Sequence, residues 1–302
     1  MKWKNNLLSS GFMLEYEAAK IADDLGFEIL IDYTYSRFNE QGVCTDFSID
    51  LFATKLIQKD GRQLLLCLPV ECKHRFSDAI WLFLPDFVPE EEFETGHMMI
   101  EEFSKNQKLR YGDTHLYFRY TDRTRKGIEI KGDSVYDKEM KHGLQQLKYA
   151  LPKASVDALW GQRLDYSIND RLFLIVPVLL TTATLRLVKK EISFQELQSS
   201  DDIGDLSTEV GHLLYVPGHS LDYNKHCYNT IHHYKDCKIP RYFESDEYVW
   251  IKDIQGALIK SVSNPTINIC NFNDFRHFLN SFIKACYEDL EPKSYEVLKN
   301  NI

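Results

Sequence analysis

Three charged side chains, Asp50, Glu71 and Lys73, stand in or beside otherwise apolar segments of the sequence. Asp50 lies within the apolar run 48–53, and Glu71 and Lys73 follow the apolar run 64–70. Carboxylate oxygens are the ligands that Mg²⁺ prefers, and a bound Mg²⁺ lowers the pKa of its water and neutralises charge that develops on a phosphate. A lysine beside them can orient the attacking water or hold a phosphate oxygen. These residue types therefore predict metal-assisted phosphoryl chemistry.

The segments that carry these charges are predicted to be two β-strands joined by a hairpin over 59–62, because Asp60 and Gly61 form a strong turn signal. Side chains alternate faces along a strand, so Glu71 and Lys73 are expected on the same side. The alternative interpretation is a partly buried ion-pair cluster that fixes the sheet, or an inactive scaffold. Buried ion pairs add little stability over apolar residues, which makes a purely structural role a weak explanation.

A helix over 10–25 and a strand over 27–35 are predicted before the hairpin. Apolar residues recur at helical spacing from Leu14 to Leu25, and Gly26 is suited to follow the helix as its C-terminal cap. Glu15 lies at the border of the buried face of this helix and is a candidate for the same site, although an exposed helix edge would also explain it. Asp46 shares a strand face with Asp50, but solvent exposure is its favoured interpretation.

A second helix is predicted over 134–154, ended by Leu151 and Pro152. Gln145 and Tyr149 are four residues apart within it and project to a common side. A fully covered strand is expected over 172–180, with another strand over 183–189. The order of one helix, three strands, one helix and two strands predicts a mixed α/β domain over residues 1–190.

Residues 76–133 are interpreted as an insertion into this domain, with a helix over 98–108 and a short strand over 115–120. The most basic part of the sequence lies here, where Arg119 and Arg123 are interleaved with tyrosines. A charge run of this kind is either a solvated surface or a phosphate-contacting flank of a site.

Residues 191–302 are interpreted as a C-terminal α+β extension packed on the core. Strands are predicted over 248–254 and 257–262, and a helix over 273–290 with one apolar face. The stretch 215–242 is rich in histidine, tyrosine and asparagine and is interpreted as a solvated loop. Its histidines and cysteines lack the paired spacing of a zinc site.

Composition limits the classes of function. The chain has a net charge of −9, which is unusual for a protein that coats DNA, although a local basic cleft can exist on an acidic body. No apolar run is long enough to span a membrane, and the basic N-terminus does not lead into a signal-peptide core. Seven cysteines, an odd number, suit reduced thiols in a cytoplasm.

The motif of Asp50 followed by Glu71-Cys72-Lys73 resembles the site of the PD-(D/E)xK nuclease superfamily, whose restriction-endonuclease-like fold has the order αβββαβ around a mixed sheet. The opening helix with Glu15 is similar to that of Mrr-like members, and Gln145 with Tyr149 resembles the QxxxY helix motif of the RecB-type branch. The resemblance covers about residues 10–190. Two departures stand out, because Ile49 replaces the usual proline and Pro69 interrupts the second strand.

The resemblance implies a cytoplasmic DNA endonuclease that uses Mg²⁺, with Mn²⁺ as a substitute, in restriction, repair or defence. Asp50, Glu71 and the Cys72 carbonyl would bind the metal, and Lys73 would position the water. Glu15 would orient that water or hold a second ion, and Gln145 would brace the site. The residues expected to contact DNA are Arg75, Arg119, Arg123 and Tyr149. The chain would act alone or as a homodimer. The alternative is an inactive member that binds nucleic acid or protein.

Overall fold

The computed structural model describes residues 2–38, 43–59, 62–88, 98–102, 110–111, 121–162, 171–238, 259, 262–263 and 265–289. Its helices are α1 (Lys2–Ser9), α2 (Phe12–Asp24), α3 (Lys138–Gln162), α4 (Phe194–Ser199), α5 (Ile203–Leu206), α6 (Leu221–Lys238) and α7 (Phe275–Asp289), the last preceded by a short 3₁₀ turn. The early strands are β1 (Glu28–Phe38), β2 (Cys44–Lys59), β3 (Arg62–Lys73), β4 (Ile80–Pro85), β5 (Met98–Glu102), β6 (Arg110–Tyr111), β7 (Arg123–Lys131) and β8 (Ser134–Tyr136). The later strands are β9 (Arg171–Ile175), β10 (Val178–Thr181), β11 (Thr184–Val188), β12 (Ser207–Glu209), β13 (His212–Tyr215) and β14 (Ile267–Asn271).

The chain has an α/β fold with one mixed sheet flanked by helices. Strand β3 is its central element and pairs antiparallel with β2 along one side. Its other side pairs in parallel with β9 near the start and with β10 near the end. The Val176 N–H donates to the Cys67 carbonyl at 2.9 Å between these two stretches, so β9 and β10 continue along the same side of β3 but are separate strands with a break at Val176 and Pro177. The single strand predicted over 172–180 is therefore two.

The strands beyond β10 return to the same bent segment of chain. From β10 the pairing passes through β14, β13, β7 and β4 to β11. The first and last strands of this series, β10 and β11, are consecutive in the chain, with only Thr182 and Ala183 between them. Segments predicted as an insertion over 76–133, and as an extension over 191–302, thus supply neighbouring strands of a common sheet.

Two apolar layers cover the sheet. One layer includes Met140, Leu144 and Leu147 of α3 and Tyr223 and Cys227 of α6. The other includes the buried faces of α2 and α7, whose apolar members are Leu14, Ala18, Ala22, Phe275, Phe278, Leu279, Phe282 and Cys286. The apolar stripes predicted for these two helices are confirmed, and Gly26 has the left-handed φ of +77° that a C-terminal cap requires.

Strands β1 and β2 exchange layers at a shared point. Ile49 and Tyr33 belong to the α3 layer, whereas Leu51 belongs to the α2 layer, although strict alternation would put Ile49 and Leu51 on one face. The ladder pairs Tyr33 with Ile49 and Ile31 with Leu51. Asp32, between these pairs, has a φ of +54° and is the non-glycine residue with positive φ in the described part of the chain. This irregularity places Asp50 at the boundary between the two layers.

Several local predictions are wrong. The first is the helix end at Leu151-Pro152, because α3 continues through Pro152 to Gln162. Residues 98–102 form a strand rather than a helix, and 134–136 form a strand before α3 begins. Much of the stretch predicted as a solvated loop is helix α6, and Ile259 and Val262 are helical where a strand was expected. The hairpin turn at 60–61 and the strands predicted over 115–120 and 248–254 lie outside the described residues.

No helix in the described ranges combines the length and apolarity needed to cross a membrane. The cysteines at positions 44, 67, 72, 227, 270 and 286 are free thiols.

Candidate functional site

Asp50 and Cys72 join β2 to β3 where their ladder ends. The last pair of the ladder is Leu51 with Val70, and beyond it the Cys72 N–H donates to Asp50 Oδ2 at 2.6 Å. Burial raises the pKa of the Asp50 carboxyl, and the hydrogen bond from Cys72 opposes that rise. Cys72 therefore acts on the site through its backbone N–H, while metal binding by its carbonyl stays a prediction.

Glu71 lies at the centre of the site and is 1% exposed. Its Oε1 accepts from Lys73 Nζ at 2.5 Å, as their shared strand face predicts. Its Oε2 is buried and has no hydrogen-bond partner among the described residues. Burial and the neighbouring Asp50 carboxylate raise the pKa of Glu71 to about 8, although Lys73 and a hydrogen bond from the Asp50 backbone N–H oppose that rise.

Lys73 is held by α3. Its Nζ donates to Gln146 Oε1 at 3.0 Å, and Gln146 Nε2 donates to the Ser48 carbonyl at 3.3 Å. The helix comes close at Gly143, where an added Cβ would lie 3.1 Å from Lys73 Cε and 2.6 Å from Leu179 Cδ1. Gln145, the residue predicted to brace the site, is exposed, and its neighbour Gln146 makes the contact with Lys73 instead. A glycine inside a helix is a sequence signal of such close packing.

Glu15 approaches the same site from the other layer. It lies in the first turn of α2, after Gly11 with a φ of +80°, and its Oε1 would be 3.3 Å from a Cβ at Gly11. Partial burial raises its pKa, and the carboxylates of Asp50 and Asp32 raise it further. The charges of Asp50 and Asp32 therefore act on Glu15, and Asp32 is a carboxylate that sequence reasoning missed.

The chain that follows Lys73 is fixed to the bend between β10 and β11. Thr181 Oγ1 donates to the Lys73 carbonyl at 3.0 Å. The Arg75 N–H donates to Thr182 Oγ1 at 2.6 Å, and that hydroxyl donates back to the Arg75 carbonyl at 2.7 Å. These hydrogen bonds hold the backbone that carries Lys73 in a single position.

The residues predicted to contact DNA are mostly engaged within the protein. Arg75 forms an ion pair with the buried Glu129, and Arg123 Nη2 donates to the Val88 carbonyl at 2.9 Å. Tyr149 is 8% exposed and lies beneath the Arg37 guanidinium, 3.5 Å from its ring centre, so the ring packs inside the protein and its contact with DNA stays a prediction. Arg119 lies outside the described residues.

The histidine-rich segment forms a packed interface. His226 Nε2 lies 2.9 Å from the Tyr149 carbonyl, with which it shares a hydrogen bond, and the neighbouring Cys227 is buried. These contacts join α6 to α3. Desolvation lowers the pKa of His226, which favours the neutral ring in this interface.

Asp50 and Glu71 form a set of two carboxylates, which is smaller than a complete metal-binding cluster but is enough for Mg²⁺. Within the described part of the chain, no group of three or more histidine, cysteine, aspartate or glutamate side chains is arranged to hold a metal ion. Mg²⁺, however, is commonly bound through one or two carboxylates, with water and substrate phosphate completing its shell. The unpartnered Oε2 of Glu71, close to Asp50, fits that smaller donor set.

A scan against protein-family models, a search of curated proteins and a search of solved structures each found no match to this chain.

Proposed function

We propose that the chain is a metal-dependent DNA endonuclease that hydrolyses phosphodiester bonds on a restriction-endonuclease-like core. Support for this fold comes from the order α2, β1, β2, β3, α3 and then β9 and β10. The proposed activity would serve restriction, repair or defence in the cytoplasm. Cutting both strands of a duplex would need a second site, as a homodimer provides, because one site handles one phosphodiester at a time.

Each side chain has a definite role in the proposed reaction. Asp50 and Glu71 would hold Mg²⁺, and the Cys72 carbonyl is the proposed third ligand. The bound ion would supply Lewis acidity and a water of lowered pKa. Lys73 would hold the attacking water or a phosphate oxygen, and Glu15 would orient that water. Gln146 would fix the direction of the Lys73 ammonium through its amide oxygen.

The observation that carries the proposal is the electrostatic state of Glu71. A buried carboxylate normally has its oxygens satisfied, because an unpaired buried charge is costly. Glu71 keeps one oxygen unpartnered within the described structure, although Asp50 stands nearby and Lys73 already binds the other oxygen. A divalent cation would displace the proton that Glu71 holds near pH 7 and offset the charge of both carboxylates, which supports metal binding over a purely structural cluster.

The direct test is cleavage of single-stranded and duplex DNA by the purified chain in Mg²⁺ or Mn²⁺. Asp50→Asn and Lys73→Ala should each lower the rate by about 100-fold or more. Asp46→Asn is the matched control, because Asp46 lies on the same strand but is exposed and accepts from Ser36 Oγ at 2.7 Å. Parental rates in both site variants, with folding intact, would refute the proposal.

Metal titration separates this activity from an inactive binding module. Calorimetry should show Mn²⁺ binding by the parent and a loss of that binding in Glu71→Gln. An inactive module would show no binding that depends on Glu71, and no DNA cleavage under any metal condition.

A further inference from the structure

The outer face of α2 carries a row of side chains that the folded core does not use. Phe12 and Tyr16 are 60% and 53% exposed, although aromatic rings of this size are usually covered. They are four residues apart and so lie side by side on the helix surface. Lys20 continues the row by one more turn, with its Nζ 5.5 Å from the centre of the Tyr16 ring and 3.3 Å from Glu17 Oε1, to which it donates in an exposed ion pair. We name Phe12, Tyr16 and Lys20 the α2 stripe.

The α2 stripe begins beside the candidate site. Glu15 lies between Phe12 and Tyr16 in sequence, and its carboxylate is close enough to Asp50 and Asp32 for their charges to act on it. On β1, Ile31 is 59% exposed and directly precedes Asp32. Exposed apolar side chains therefore lie next to two of the carboxylates in sequence, on α2 and on β1.

The chemistry of the stripe fits unpaired nucleotides. Aromatic rings bind bases of any sequence by stacking, and a lysine next to them can meet the phosphate that links two bases. Base faces are available for stacking only where the bases are not paired within a duplex. In addition, Arg75 is paired with the buried Glu129, and Arg123 donates to the Val88 carbonyl. The ion pair of Lys20 with Glu17, by contrast, is exposed on both sides, so a phosphate can replace Glu17 as the partner of Lys20.

We propose that the α2 stripe binds unpaired bases, so that the substrate of the proposed nuclease is single-stranded DNA or a single-stranded segment of a larger DNA. This inference rests on the proposed function for the cleavage step and on the exposed stripe for the binding step. It assigns Phe12 and Tyr16 as stacking residues and Lys20 as a phosphate contact.

Binding is measured by fluorescence anisotropy with a labelled oligothymidine, using Asp50→Asn as the common background to prevent cleavage. Adding Phe12→Ala and Tyr16→Ala together should weaken oligothymidine binding by about 10-fold or more. Tyr16→Phe keeps the ring and should bind as the background does. Phe194→Ala is the matched control, because Phe194 is 73% exposed on α4, which supplies no residue to the site.

Cleavage distinguishes the failure of this inference from the failure of the proposed function. With an active site intact, the chain should cut single-stranded DNA faster than duplex, and Phe12→Ala with Tyr16→Ala should remove that preference. Equal cutting of duplex, or unchanged oligothymidine binding in the double variant, would overturn the stripe assignment while leaving the nuclease proposal standing. If no DNA is cut but binding still depends on the stripe, the inference on binding holds and the proposed catalysis fails.

Sedimentation tests whether the stripe is instead a contact between two copies of the chain. A parent that sediments as a dimer, and a double variant that sediments as a monomer, would identify the stripe as a subunit contact and overturn the inference.

Discussion

Two buried glutamates on one sheet have opposite surroundings. Glu71 on β3 and Glu129 on β7 are each 1% exposed. Both oxygens of Glu129 are satisfied, one by the Arg75 guanidinium and the other by Trp81 Nε1 at 2.9 Å. Glu71 has Lys73 on one oxygen, no partner on the other within the described structure, and Asp50 nearby.

The difference separates a structural carboxylate from a candidate functional one. Glu129 has a partner for its charge and for each oxygen, which is how a fold makes a buried charge tolerable. Glu71 has a raised pKa because its surroundings disfavour ionisation, and such groups concentrate at functional sites. The two are linked through the chain, because Arg75 lies two residues beyond Lys73. The Arg75–Glu129 pair thus helps to hold the end of the strand that carries Glu71.

The largest expected difference between Glu71 and Glu129 is in stability, when each carboxylate is removed in turn. Glu129→Ala should lower the free energy of unfolding by about 3–5 kcal/mol, because it leaves Arg75 and Trp81 without their partner. Glu71→Gln should leave stability unchanged or higher, since glutamine resembles the protonated form that prevails near pH 7. Denaturant unfolding measures both changes.

An exposed pair provides the control for that experiment. Arg186 and Glu209 also lie on neighbouring strands, 3.8 Å apart, but Glu209 is 71% exposed. Glu209→Ala should change stability by less than about 1 kcal/mol, as is usual for surface ion pairs. A Glu71→Gln variant as unstable as Glu129→Ala would show that the two glutamates do the same structural work.

The pH dependence of metal-free stability should report on Glu71. The pKa of Glu71 is about 8 in the folded chain and 4.5 is its ordinary value. Between these pH values the unfolded chain has lost this proton and the folded chain keeps it, so stability falls as pH rises through the window, by a few kcal/mol.

Unfolding measured in a chelator at several pH values should show this fall in the parent and a smaller one in Glu71→Gln. Added Mg²⁺ should restore parental stability at pH 8, because a ligand that binds only the folded state stabilises it. Identical slopes in parent and variant would assign the pH dependence to other groups.

Gly143 tests how closely the helix must approach Lys73. Gly143→Ala forces a Cβ to within 2.6 Å of Leu179 Cδ1 and should cost about 1–3 kcal/mol by overpacking. It should also reduce DNA cleavage by moving Lys73. Gly218→Ala is the control, because its added Cβ meets nothing within 4 Å among the described atoms. Equal effects of the two substitutions on unfolding and cleavage would contradict the close contact.

The smallest expected changes in stability are those for substitutions of the adjacent glutamines Gln145 and Gln146. Gln146→Ala removes a hydrogen bond to the Lys73 ammonium and should cost about 1–2 kcal/mol. It should lower the rate of cleavage, and Gln146→Glu should restore part of that rate by keeping an oxygen at the same position. Gln145→Ala should change stability by less than about 0.5 kcal/mol, because Gln145 is exposed. The reverse ranking would return the assignment to Gln145.

Local patterns in the sequence predicted the elements that carry the site. Asp50, Glu71 and Lys73 were placed by apolar runs and by the turn signal between them, which depend on neighbouring residues alone. The helix with Glu15 followed from a regular apolar spacing closed by glycine. Elements of this kind are set by short-range preferences, and α2, β2, β3 and β11 agree with them.

Predictions failed where distant parts of the chain decide the outcome. Pro152 is tolerated inside α3, whose neighbouring side chains Leu151 and Ala154 are buried in the core. The polar-looking segment of α6 is helical because residues such as Tyr223 and Cys227 pack into the core on one side. Tertiary packing of this kind overrides local composition.

By itself, the sequence determined that two carboxylates and a lysine stand together at the end of a hairpin, because strand alternation and turn chemistry are local. Only the tertiary structure decided which glutamine meets Lys73, since one residue of helix rotation is set by how α3 packs on the sheet. The register of β1 on β2 also set Asp32 opposite Asp50, at a layer exchange that strict alternation does not predict. Packing likewise joined Arg75 to Glu129, 54 residues away, because a buried charge selects its partner by proximity in the fold.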